Sequence, residues 1–300
     1  MKTIISLWLI GIGVANAQVS NTSYGTGALN PASTGSDNSA FGDSALASNT
    51  NGGDNSAFGS AALNANTIGA LNGAFGLAAL GRNTSGLSNN AFGVDALTSN
   101  TTGSYNLAIG VWSLQYNVTG SSNTAVGHQA LTNSRSASFN TAVGFRALVT
   151  NTAGLNNVAL GGSTLFSNVG SYNSAVGSQA LFQNSTGSSN IAVGYQAGYY
   201  PKGSSNIDIG AAGAAPDDSI IRIGTQGTHK KTYLAGVRGV VVTGGQAMVV
   251  GANGQIGVAS TKLVSALAAT PGLTEADVRR IVREEIARAN ALAATPSGTQ

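Results

Sequence analysis

No cysteine occurs in the 300-residue chain, so no disulfide can hold it together. Charge is equally scarce, with 14 Lys plus Arg and 11 Asp plus Glu. A chain this weakly charged is not kept unfolded by self-repulsion, and its apolar residues are too regularly placed for a linker. Proline is absent between Pro31 and Pro201, so nothing there interrupts backbone ladders. Catalysis needs titratable groups that converge, and these are few. The histidines are His128 and His229, and the three glutamates, Glu275, Glu284 and Glu285, all lie near the end. The adjacent aspartates Asp217-Asp218 read as a turn. His128 follows a repeated glycine at a variable position, where other copies carry Asp43, Ser60 or Tyr195, and reads as an exposed loop residue. Phosphate loops, zinc spacings and the Gly-Gly-x-Gly-x-Asp pattern of calcium-binding solenoids are missing. The expectation is a non-enzyme with no catalytic, cofactor-binding or metal-binding residues.

The pI of about 9.3 invites a nucleic-acid reading, but the charges are badly placed for one. Between Asn21 and Gly210 the basic residues are Arg82, Arg135, Arg146 and Lys202, against Asp37, Asp43, Asp54, Asp95 and Asp208. Phosphate binding needs several cations on one face, so no nucleic-acid partner is expected. At the N-terminus, Lys2 precedes the apolar run Ile4 to Val14, which ends in Ala15-Asn16-Ala17. This is the layout of a signal peptide over residues 1–17, which implies export to the exterior or the cell surface. No other run approaches the ~20 apolar residues of a membrane helix.

What the chain does have is a repeat. The phrase Asn-x-Ala-(apolar)-Gly recurs with its glycine at Gly25, Gly42, Gly59, Gly76, Gly93, Gly110, Gly127, Gly144, Gly161, Gly177, Gly194 and Gly210. The period is 17 residues, shortened to 16 at two late steps, and an Ala-Leu pair follows most of the glycines. An Asn/Thr/Gly-rich loop closes each unit. The segment Asn133-Ser134-Arg135-Ser136-Ala137 departs from this loop by losing its glycine, and Asn168-Val169-Gly170 by dropping a residue.

Two apolar segments per unit, each too short for a useful helix, punctuated by Gly and Asn, predict short strands joined by turns. Stacked about 4.8 Å apart, twelve such rungs form a parallel β-solenoid over 18–210, a rod on the order of 55 Å long. Like residues then sit over like, so the recurring Asn can form amide ladders. Alanines at the third and eighth positions keep the walls close. The fourth position is Phe41, Phe58, Phe75 and Phe92 early, then Ile109, Val126, Val143, Leu160, Val176 and Val193. About four apolar side chains per turn, two of them Ala, make a thin core. One apolar column is expected to fill the coil and another to be covered by neighbouring subunits.

Residues 211–260 read as a β-rich neck, with Val240-Val241-Val242, a Gly244-Gly245 turn, Met248-Val249-Val250 and Ile256. In 261–300 a linker leads to an amphipathic helix. Thr274 is a good N-cap, Glu275 and Asp277 suit the first turn, and Val278, Ile281, Val282, Ile286, Ala289 and Leu292 form one stripe. Such a helix can join a three-stranded coiled coil or, with Arg279, Arg280, Arg283 and Arg288 around it, lie on a membrane. Trimerisation is favoured, because the array already needs partners.

The phrase, as in Asn123-Thr124-Ala125-Val126-Gly127 and Asn190-Ile191-Ala192-Val193-Gly194, resembles the head repeat of YadA-like trimeric autotransporter adhesins. The resemblance covers residues 21 to 210, although the best-known heads use a shorter unit. It implies a left-handed parallel β-roll, three chains side by side, and display on a bacterial surface to bind host matrix or cells. After the array, the alternating strands of the family's membrane anchor do not appear in the sequence. The segment Ile220 to Thr225, followed by His229 to Val237, is instead similar to stems of phage-type fibres and adhesin-like proteins. The leading expectation is therefore a secreted or surface-exposed adhesive homotrimer with an unidentified ligand. The alternatives are a phage-fibre-like assembly component and an ice-binding solenoid, whose threonine column would be Thr50, Thr67, Thr84 and Thr101, then Val118, Arg135 and Thr152.

Overall fold

The computed structural model describes residues 20–200, 203–215, 217–225, 228–229, 231, 248–250 and 256–258. The signal peptide expected over 1–17, the Val240-Val241-Val242 segment and the amphipathic helix expected within 261–300 lie outside these residues. Two units are distinguished, 1–225 and 226–300.

The first unit is an all-β parallel solenoid of about twelve turns. Its three-residue strands begin with β1 (Thr22–Tyr24), β2 (Ser39–Phe41), β3 (Ser56–Phe58), β4 (Gly73–Phe75), β5 (Asn90–Phe92), β6 (Leu107–Ile109) and β7 (Thr124–Val126). They continue through β8 (Thr141–Val143), β9 (Val158–Leu160), β10 (Ser174–Val176), β11 (Ile191–Val193), β12 (Ile207–Ile209) and β13 (Ile221–Ile223). All thirteen pair in sequence order in one sheet. Register is set by the repeat: Ala57 pairs with Ala40 and Ala74, and Phe58 with Phe41 and Phe75. β13 adds one more parallel strand within the segment read as stem, with Ile221 against Ile207. In the second unit β14 (Met248–Val250) and β15 (Ile256–Val258) form an antiparallel pair.

Each rung has one strand rather than two. The Ala-Leu segment is a turn, and its leucines, from Leu29 to Leu181, take φ between +49° and +55°. Backbone bonds explain the bend. In one rung Ala45 N–H donates to Gly42 O at 3.4 Å and Asn49 N–H to Leu46 O at 3.1 Å, which closes two successive turns. A left-handed residue costs about 1–2 kcal/mol. Here that cost is offset because the bend drives leucine inward, where full burial of its side chain is worth about 1.5–3 kcal/mol. The turn also requires glycine before it. At Gly93, with φ +141°, a Cβ would lie 2.7 Å from the carbonyl oxygen of Gly110 in the next rung.

The core is the thin one expected. Beyond the first rung, where Ala28 and Leu29 are partly buried, the third-position alanines (such as Ala91), the eighth-position alanines (Ala96) and the leucines (Leu97) are completely buried. Two asparagine columns complete it. In the first, Asn106 Nδ2 donates to Asn89 Oδ1 at 3.0 Å and to Gly120 O at 2.9 Å, while its backbone N–H reaches Asn89 Oδ1 at 3.1 Å. In the second, Asn83 Nδ2 donates to Asn66 Oδ1 at 2.8 Å and to Gly86 O at 3.0 Å. Outside the break between Asn117 and Asn151, each buried amide is thus satisfied by the rung beside it and by its own loop.

The regular core ends at a polar rung. Gly198 stands where the earlier rungs carry leucine, and a Cβ there would meet Leu181 Cδ2 at 2.8 Å. Asp208 replaces the third-position alanine and pairs in register with Arg222. Arg222 in turn forms an ion pair with Asp217. Polar terminal repeats of this kind close a solenoid against further stacking.

A candidate interaction face

Alternation along each strand sends the central alanine inward and its two neighbours outward. The fourth-position residues therefore form one continuous column on the outer face of the sheet. From Phe58 to Ile209 these side chains are about two-fifths exposed, as in Phe75 at 37% and Val193 at 42%, apart from the more covered Val126. At the base of the column Ile223 is 68% exposed. Four phenylalanines begin it as a parallel stack, with centroids 4.9, 5.1 and 4.8 Å apart from Phe41 to Phe92 and planes within 6°. Each ring shields its neighbours along the rod and leaves its outer edge bare. Taking a full side-chain surface as roughly 200 Å², the column leaves on the order of 800 Å² of apolar surface uncovered. A patch of that size exceeds what soluble monomers ordinarily expose and equals one partner's share of a standard interface.

The threonines, His128 and the acidic pair lie elsewhere. The threonine column lies in the loops rather than on the sheet. Its hydroxyls donate inward along the rod: Thr50 Oγ1 to Thr67 O, Thr67 Oγ1 to Thr84 O and Thr84 Oγ1 to Thr101 O, each at 2.9 Å. Those protons hold rungs together and are not turned towards solvent. His128 is exposed and stacks between rungs, 5.2 Å from the Trp112 ring and 5.6 Å from Phe145. Asp217 is engaged by Arg222, and Asp218 Oδ1 accepts the Ser204 N–H at 2.7 Å, so the acidic pair serves the end of the stack. No group of three or more His, Cys, Asp or Glu gathers among the described residues. A hollow of about 430 Å³ between Trp112, Gln129, Thr132 and Arg146 is open and gathers no acid–base pair.

The repeat foretold the outward column but not the left-handed turns. A further feature was visible as a departure without its meaning. Ser134 breaks the second asparagine column, and it leaves Asn117 Oδ1 and its own Oγ buried without a hydrogen-bond partner. The lost loop glycine, Ala137, belongs to the same rung.

Sheet, core and face together define a parallel β-solenoid with one continuous apolar stripe and a polar closing rung. Compared with family models, curated proteins and solved structures, the chain matches none.

Proposed function

We propose that the chain is a non-catalytic, exported adhesive protein whose rods associate side by side as a homotrimer. The reading is that of a surface adhesin head like those of YadA-like proteins. The observation that carries it is the apolar column from Phe41 to Ile223, which runs the length of the sheet on its outer face. A column repeated on every rung suits a partner of the same length and register, and a second copy of the chain has both. In a closed ring of identical subunits, equivalent rungs stand at equal height, so each column meets matching rungs. The thin core supports the same reading, because three rods sharing apolar faces bury what one rod leaves exposed.

Charge in this column is then expected to separate the subunits. Phe75→Glu combined with Val143→Glu would place two charges in each copy of the interface, where burying an unpaired charge costs several kcal/mol. The double variant should sediment as a monomer and retain the β-rich circular dichroism of the parent. A variant that keeps the parent's mass would count against the column as the subunit contact. The adhesive role is tested by binding of the purified exported protein to immobilised matrix proteins, polysaccharides and intact cells. Failure to bind any of them would remove that role and leave an assembly component as the alternative.

A further inference from the structure

A second exposed column differs from the first in spacing. The residue immediately before each repeated asparagine is left-handed, and large side chains occupy this position at alternate rungs: Leu71, Tyr105, Phe139 and Tyr172, with φ of 60° or 61°. Between them stand Ser88, Ser122 and Asn156, and Ser189 follows, at φ of 53° to 58°. The large residues are 58% to 65% exposed, so they gain little from packing. Bulky residues in the left-handed region are costly, whereas Asn and Asp tolerate it, and neighbouring copies of the position hold Asp37, Asp54 and Asn156. Strain that returns no burial points to a use outside the fold.

The backbone of the column is tied from rung to rung. Tyr105 N–H donates to Leu87 O at 2.9 Å, Phe139 N–H to Ser121 O at 3.1 Å and Tyr172 N–H to Leu155 O at 2.9 Å, so each platform is anchored to the rung before it. It is also uncharged: no Asp, Glu, Lys or Arg occupies it or its immediately flanking columns between residues 70 and 205. The rungs advance by 4.9 and 5.1 Å from Phe41 to Phe75, so alternate platforms stand about 10 Å apart. Two sugar residues of an extended β-1,4-linked glycan span the same length, and its rings present apolar C–H faces to aromatic side chains. The intervening Ser and Asn offer hydroxyl and amide groups for the sugar hydroxyls. A second copy of the chain fits less well. In a closed ring, large residues would meet large ones at equal height, while meshing needs a shift of one rung.

We propose that Tyr105, Phe139 and Tyr172, with Leu71 at the edge, form a platform for an extended, neutral β-1,4-linked polysaccharide. This names a ligand class for the adhesive reading and rests on it. The full exported protein should co-sediment with microcrystalline cellulose or chitin and not with the β-1,3-glucan curdlan. Tyr105→Asn, Phe139→Asn and Tyr172→Asn should each weaken binding about tenfold, and the triple variant should abolish it. Asparagine suits the left-handed backbone, so the thermal midpoints should be equal or higher, which separates lost binding from lost folding. Three results would overturn the proposal: no binding to either β-1,4 polymer, equal binding to curdlan, or undiminished binding by the triple variant. Sedimentation of the triple variant as a monomer would also overturn it, by making the column a subunit contact. A trimeric parent that ignores both polymers would refute the glycan platform and leave the trimer intact.

Discussion

Asn106→Asp is expected to destabilise the rod by about 5 kcal/mol at neutral pH, although the change replaces one NH₂ by an oxygen. Asn106 Nδ2 lies 3.0 Å from Asn89 Oδ1 and 2.9 Å from Gly120 O, and both are acceptors. A carboxylate would set oxygen against oxygen at both contacts and bury a charge beside fully buried alanine and leucine columns. Its other oxygen could still accept from Asn123, whose backbone N–H and Nδ2 reach it at 3.0 and 3.1 Å. The pH dependence gives the sign. Burial raises the folded-state pKa of the introduced acid above its unfolded value of about 4. Below pH 4 both states are protonated and the variant is least impaired, since a protonated acid restores one donor. As the pH rises from 4 to the raised folded pKa, the penalty grows by about 1.4 kcal/mol per unit. Thermal unfolding of parent and variant from pH 3 to pH 7, followed by circular dichroism, measures this. A penalty that does not change with pH would mean that the amide column is not dry.

The opposite effect is expected where the column is already broken. Ser134→Asn together with Ala137→Gly should stabilise the rod by about 2 kcal/mol, while Ser134→Asn alone should destabilise it by a similar amount. In intact rungs a Cβ at the loop glycine would lie 2.4 Å from Asn117 Oδ1 (at Gly120) or 2.3 Å from Asn151 Oδ1 (at Gly154). An amide at position 134 therefore collides with the methyl of Ala137, and the short Ser134 is what lets that methyl fit. Once glycine returns, the introduced amide can donate to Asn117 Oδ1, which is buried without a partner, and accept from Asn151 Nδ2. Ala137→Gly alone should cost about 0.5–1 kcal/mol through the added freedom of the unfolded chain. A double-mutant cycle on chemical unfolding should give a coupling of about 3 kcal/mol or more. Additive effects would show that the two departures share a rung by coincidence.

These examples mark how far the sequence could be read. A 17-residue period with fixed Asn, Ala, Gly and Leu is sufficient to give parallel rungs, buried alanines and amide ladders, because identical turns can stack in only one register. It also placed the fourth-position residues from Phe41 onwards in a column of their own. At Leu46 and its equivalents the sequence predicts a second strand, because Ala-Leu is apolar and short. Their left-handed turn follows from the glycine ahead of them and from bonds between rungs, neither of which composition reveals. The threonines at 50, 67, 84 and 101 looked like an ordered outer surface, yet their hydroxyls serve the next rung. The platform at Tyr105, Phe139 and Tyr172 has a period of two rungs, which an alignment of single units averages away.

In the proposed homotrimer, further copies of the same chain cover the apolar column. Sedimentation equilibrium of the purified protein, at concentrations from micromolar to tens of micromolar, tests this most directly. A single species of three times the mass of one chain, undiminished on dilution, is the predicted result. A stable monomer across that range, with its β structure intact, would contradict it.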